Sequence, residues 1–247
     1  MTALEITRKP TDHFDERRGG VAATFLIIHY TETRTFAEAE DYLLGRRTHP
    51  SGGRVSVHYM IDDDGSVVQY VDEGKRAWHA GKSWWNGTDD LNSHSIGIEL
   101  VHPGHAHGNR PFPAAQMAAL AKLCKEILAR NPIPPRHVLA HSDIAPTRKR
   151  DPGEMFDWKS LAAQGIGVWP QPLKEDFERA AELNKDIGKA LTELGYDPAA
   201  DEESRIVAFQ RHFYPEAFTA PAAPGKSDEK MAARLACLLR TAPKLAK

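Results

Sequence analysis

Two residue types stand in this chain where they could do chemistry: histidine, which binds metal and changes charge near neutral pH, and the carboxylate. The chain has twelve histidines in 247 residues. His29 ends the apolar run Thr24–His29 (TFLIIH), a strand end of the kind that carries active sites in α/β sheets. His141 follows a second apolar stretch, Val138–Ala140, and opens the segment HSDIAPTRKRDPG. Within it Lys149 and Asp151 are two apart, so an extended backbone puts both on one side. Pro146, Pro152 and Gly153 restrict the loop around them. Glu99 interrupts Ser95–Val101 (SIGIELV), where alternation sets it on the face of Gly97 and opposite Ile96, Ile98 and Leu100. A carboxylate in so apolar a strand is costly unless it is solvated, paired or functional. Taken singly, each has an ordinary structural reading: a hydrogen-bonded core histidine, a His–Asp pair, an exposed strand face. Taken together, they offer a His–His–Asp set on separate strand ends and loops. Zinc takes such ligands, and a catalytic zinc keeps three protein ligands and a water. His29, His141 and Asp151 are then candidate ligands to one Zn2+ per chain. Glu99 is a free carboxylate able to carry a proton, and Lys149 a cation able to hold a developing oxyanion. These are the parts of a metal-assisted amide hydrolase.

The elements that must position these residues are legible as alternating strands and helices. Thr24–His29 reads as a buried strand. Thr35–Gly45 reads as a helix with Phe36, Ala39, Tyr42 and Leu43 on one face. Arg54–Ile61 and Val67–Val71 read as a hairpin across the turn Asp62-Asp63-Asp64-Gly65. Ser95–Val101 and Val138–Ala140 are further strands, and Phe112–Arg130 is an amphipathic helix entered through Pro113. The fold class is therefore α/β, a mixed central sheet flanked by helices, over residues 1–168. Trp169-Pro170-Gln171-Pro172 breaks the pattern, with a linker at 169–174. Residues 175–247 read as a small all-α unit of three helical segments, about Lys174–Leu194, Glu202–Phe213 and Ser227–Arg240, with a loose loop at Pro215–Gly225.

Composition excludes several function classes. With 41% hydrophobic and 27% charged residues, extensive disorder is not expected. Lys plus Arg is 32 and Asp plus Glu 34, a net charge of −2, which leaves no global field for nucleic acid or an anionic membrane. No stretch approaches the roughly 20 apolar residues of a membrane span. The polar start MTALEITRKPTDHFDERRGG has no apolar signal core. The sequence as it stands thus predicts a cytoplasmic protein, periplasmic if a leader has been removed. Cys124 and Cys237 have neither metal-site nor disulfide spacing and read as buried thiols. No G-x-S-x-G motif offers a serine nucleophile.

The segments FLIIHYT, VHYMIDDDG, KRAWHAG, SIGIEL and HSDIAPTRKRDPG, in this order over residues 10–165, resemble the zinc-dependent N-acetylmuramoyl-L-alanine amidases of the AmpD/AmiD type. Their amidase-2 fold is shared with peptidoglycan recognition proteins. The C-terminal stretch ALTELGYDPAADEESRIVAFQRHF resembles a three-helix peptidoglycan-binding domain. The resemblance implies zinc ligation by His29, His141 and Asp151, proton shuttling by Glu99 and transition-state stabilisation by Lys149. It also implies that Trp78 and His79 lie by the substrate groove, against core packing as the alternative for each. His58 matches a motif histidine and reads as structural. His94, His102, His105 and His107 read as surface residues, able as a tract to bind stray metal. The implied substrate is a muropeptide, with 1,6-anhydro fragments of peptidoglycan recycling favoured by the absent leader. A lytic amidase acting on intact wall and a non-catalytic recognition module are the alternatives. Oligomeric state is not readable.

Overall fold

A computed structural model of the chain describes residues 4–219 and 224–241. Its strands are β1 (Ile6–Arg8), β2 (Phe14–Glu16), β3 (Phe25–Tyr30), β4 (Tyr59–Ile61), β5 (Val67–Gln69), β6 (Lys75–Ala77), β7 (Ser95–Leu100) and β8 (Val138–Ala140). Six of them form one mixed sheet in the order β1-β5-β4-β7-β3-β8, and β2 pairs with β6. The run β4-β7-β3-β8 is parallel throughout. Parallel strands are covered on both faces and need near-continuous apolar sequence. FLIIHY supplies it, and β3 is buried at every position. β4 and β5 form the expected antiparallel hairpin. Gly65 closes it at φ +88°, a backbone angle that favours glycine.

Alternation decides what each face meets. Leu26, Ile28, Ile96, Ile98, Leu100 and Val138 pack on Leu120, Leu123, Cys124 and Ile127 of the helix Ala114–Arg130. Phe25, Ile27 and Leu139 point the other way, into a core shared with Leu191, Tyr196, Ile206, Phe209, Met231 and Leu235 of the C-terminal helices. The helical segment therefore covers a face of the sheet that would otherwise stand in water. The helix Phe36–Leu43 packs beside it through Ala39 and Leu43, with Thr35 capping its first turn by accepting from the Glu38 N–H. Both cysteines are buried. Among the described residues no helix is long and apolar enough to cross a membrane.

Several local expectations are corrected. The strand Arg54–Ile61 shortens to Tyr59–Ile61, because the chain before it leaves the ladder. Ser56 exchanges hydrogen bonds with the Trp78 backbone, and the His58 ring takes the Gly97 N–H. The helix Lys174–Leu194 divides into Lys174–Leu183 and Ile187–Leu194. Asp186 starts the second by accepting from the Lys189 N–H. Phe177 on the first is exposed, since that helix packs through Ala180 on Ala232 and Ala233. The last helix is Glu229–Thr241. Part of the expected loop Pro215–Gly225 takes up a single turn, Pro215–Phe218, and residues 220–223 lie outside the described residues. The histidine tract is not a surface cluster. His102 is fully buried, donating to the Arg110 carbonyl and accepting from the Gly104 N–H. His105 lies between Tyr30 and Glu154, and His94 is half-buried. His107 alone of the four is exposed.

Candidate active site

The register of β7-β3-β8 assembles the site. His29 on β3 lies directly opposite Glu99 on β7. Ile28 lies opposite Ala140, so His141, the next residue, emerges beside His29 at the C-terminal edge of the sheet. That edge is where ligands bind in open α/β folds. His141 opens a single helical turn, His141–Ile144. The Ser142 N–H then donates to the Asp151 carbonyl at 3.0 Å, which folds the following loop back over the strand ends.

Three donor atoms converge there. His29 Nδ1 and His141 Nδ1 are 2.9 Å apart. Asp151 Oδ2 lies 3.2 Å from the first and 2.9 Å from the second. The surrounding hydrogen bonds assign the tautomers. Ser95 Oγ donates to the Leu91 carbonyl, so toward His79 it accepts, from Nε2–H at 3.2 Å. His79 Nδ1 is then an acceptor, and His29 Nε2–H donates to it at 2.9 Å. That leaves the His29 Nδ1 lone pair unprotonated. His141 Nε2–H donates to the Ala80 carbonyl at 3.2 Å, with the same result. Two imidazole lone pairs and a carboxylate oxygen thus face one point. Without a cation they repel. With one, their spacing is close to the about 3.3 Å edge of a tetrahedron with metal–ligand bonds of about 2.0 Å. A second layer of partners that fixes each ring is the usual setting of metal-binding histidines.

Protonation states agree with this. Burial, then the neighbouring His141, pushes His29 down to about 4, so its ring is neutral at pH 7. Burial, then His29, pushes His79 well below the usual imidazole range. Among the described residues, His29, His141 and Asp151 are the group of such side chains able to share an ion.

A cleft of about 320 Å³ is lined by His141 and Asp151, while His29 is buried and outside its lining. Glu99 lies in its wall with Oε2 shielded from water and without a hydrogen-bond partner. Burial, then the Asp151 charge, raises its carboxyl well above the usual range. Lys149 lines the same cleft and is half-buried. Trp78 is half-buried in the wall, its indole N–H donating to Asp15 at 3.2 Å. His79 also borders the cleft, with both ring nitrogens engaged inside the protein. His58 is interior: it accepts from the Gly97 N–H at 3.0 Å and donates to the Lys75 carbonyl at 3.1 Å. Burial pushes it down to about 3.

Sequence reasoning missed Ser95, the Ala80 carbonyl and Gly97 as parts of the site. Alternation did place Gly97 on the Glu99 face, and the space it leaves is the signal. A Cβ there would stand 2.6 Å from the His79 ring. Gly97→Ala is therefore expected to displace His79 and loosen His29. Metal affinity should fall about 10- to 100-fold, as when other outer partners are lost. Chelator competition on the folded variant measures it, and wild-type affinity would contradict the account.

The profile of Amidase_2, N-acetylmuramoyl-L-alanine amidase, matches residues 19–154. The chain belongs to this family. The N-acetylmuramoyl-L-alanine amidase AmiD of Escherichia coli (strain K12) is 37% identical over 244 residues, 88% of this chain and 86% of AmiD. The 1,6-anhydro-N-acetylmuramyl-L-alanine amidase AmpD of Haemophilus influenzae is 36% identical over 160 residues, 60% of this chain and 85% of AmpD. A solved complex of the E. coli AmiD with the substrate anhydro-N-acetylmuramic acid-L-Ala-D-gamma-Glu-L-Lys superposes with a TM-score of 0.73 at 34% identity, covering 92% of this chain and 97% of that one. The amidase-2 fold anticipated from the motifs is thus present, and this family member is an N-acetylmuramoyl-L-alanine amidase.

Proposed function

We propose that this amidase hydrolyses the amide between the lactyl group of N-acetylmuramic acid, in its 1,6-anhydro form, and L-alanine of the stem peptide, during peptidoglycan recycling. One zinc ion per chain is held by His29, His141 and Asp151. The observation that carries this is the convergence of two imidazole nitrogens and a carboxylate oxygen within 3.2 Å of one another. Bound zinc supplies Lewis acidity to a water and to the scissile carbonyl. The chain's own residues do the rest. Glu99 takes a proton from the attacking water and returns it to the leaving amine, a double role suited to a carboxyl raised toward neutrality. Lys149 sets its ammonium against the developing oxyanion. Trp78 offers a flat apolar face to sugar or peptide. His79 acts from behind, holding the tautomer of His29.

The anhydro form is supported by the substrate in the related AmiD complex and by the name of the AmpD relative. Residues 1–168 form the amidase unit, 169–174 the linker and 175–247 a peptidoglycan-binding-like helical unit. The Amidase_2 match ends at residue 154, ahead of that linker, which supports the division. A second reading, an amidase acting on intact wall, draws on the same helical unit. Digests of purified anhydro-muropeptides and of whole sacculi, read by mass spectrometry for free stem peptide, separate the two. The recycling reading expects the soluble fragment to be cut at least about tenfold faster, a barrier difference of about 1.4 kcal/mol. Preference for sacculi favours the second. Free sugars without free peptide would overturn the bond assignment.

A further inference from the structure

Two adjacent residues of the C-terminal helix Glu202–Phe213 reach the two segments that carry His141 and Asp151. His212 is fully buried, and its Nδ1–H donates to Asp143 Oδ2 at 2.6 Å. Asp143, also fully buried, accepts from the Tyr196 hydroxyl at 2.7 Å and from the Ala140 N–H at 2.8 Å. It belongs to the single turn that begins with His141. The preceding residue, Arg211, sets Nε 3.4 Å from Glu154, three residues beyond Asp151. Glu154 also accepts from Asn109 at 3.0 Å and meets His105 at 3.1 Å. His105 in turn meets the hydroxyl of Tyr30, the neighbour of His29, at 2.7 Å.

A tethered wall-binding module needs its own core and a wet, polar boundary. This one shares a continuous core with the sheet, Ile27, Leu139 and Ile144 packing with Ile206, Phe209 and Met231. At its centre sits a carboxylate whose side-chain partners, Tyr196 and His212, both come from the helical unit. A buried carboxylate stripped of them is costly. Without those partners the turn would have to carry Asp143 toward water, and His141 with it. We propose that the C-terminal helical unit is a working part of the metal centre. Tyr196 and His212 through Asp143, and Arg211 through Glu154, are positioning residues that hold the His141 turn and the Asp151 loop at ligand spacing. The inference rests on the zinc reading above and assigns a role to the helices that wall binding does not require.

The test uses the full chain with Zn2+ and Co2+ alone as probes. Zinc affinity is measured by chelator competition, and ligand geometry by the visible absorption of the Co2+ protein. His212→Leu is expected to weaken zinc about 10- to 100-fold and to change the Co2+ spectrum. His212→Asn, whose amide N–H reaches Asp143, should recover most of both. Leu235→Ala, buried in the same unit but outside the polar network, should lower Tm and leave both readings in place. If His212→Leu does not fold, Tyr196→Phe decides, with a several-fold loss expected. Wild-type affinity and spectrum in the deciding variant would overturn the proposal, as would equal losses in Leu235→Ala. A wild-type protein that binds neither ion overturns the zinc reading and this inference with it. Tight binding in the wild type with unchanged variants overturns this inference alone.

Discussion

Glu99→Gln keeps the zinc and loses turnover: kcat is expected to fall about 10²- to 10⁴-fold, the usual contribution of a positioned acid–base group. Glutamine preserves shape and volume but carries no exchangeable acid proton. Glu99 is not among the converging ligand atoms, so metal content should match the wild type. The environment explains why the native residue is suited to the task. Burial, then the Asp151 charge, raises its carboxyl well above the ordinary 4.5. The same shift carries a stability cost. The folded state binds this proton more tightly than the unfolded one, so the favourable contribution is complete below the unfolded value. It is lost as pH rises through the raised folded value. In the metal-free protein at neutral pH, Glu99→Gln should therefore raise Tm. Undiminished kcat with full zinc content would remove Glu99 from the mechanism.

Truncating a ligand gives the other large effect. His29→Ala and Asp151→Ala are each expected to lose zinc on dialysis. Affinity should fall by more than the roughly 10- to 100-fold that follows loss of an outer partner, and activity should drop to background. The two failures differ in character. His29→Ala removes one neutral lone pair and leaves His79 Nδ1 without its donor. Asp151→Ala removes the negative charge that balances the ion and leaves two imidazole nitrogens 2.9 Å apart with nothing between them. Zinc content by elemental analysis, read beside muropeptide turnover, checks both. Wild-type rates in an Asp151→Ala protein freed of zinc would contradict the assignment.

Local pattern carried much of this protein in its sequence. The apolar runs of β3, β7 and β8 and the 3.6-residue period of the helix Ala114–Arg130 declare which side of each element avoids water. A polar residue breaking such a run, as His29 and Glu99 do, is conspicuous because burying it demands a reason. Ordered motifs then pointed to the residues now found around one cleft. What sequence could not disclose depends on partners distant along the chain. β1, β2 and β6 carry no apolar run, and they exist because a neighbouring strand accepts them. The backbone before Tyr59 reads as strand until the His58 ring takes the Gly97 amide in place of a ladder bond. The proton on His29 is placed by Leu91 through Ser95 and His79, a relay no spacing rule encodes. The C-terminal helices read as a separate unit because Trp169-Pro170-Gln171-Pro172 breaks the alternation of strands and helices. Periodicity tells which face is apolar but not which surface will cover it, and here that surface is the back of the catalytic sheet.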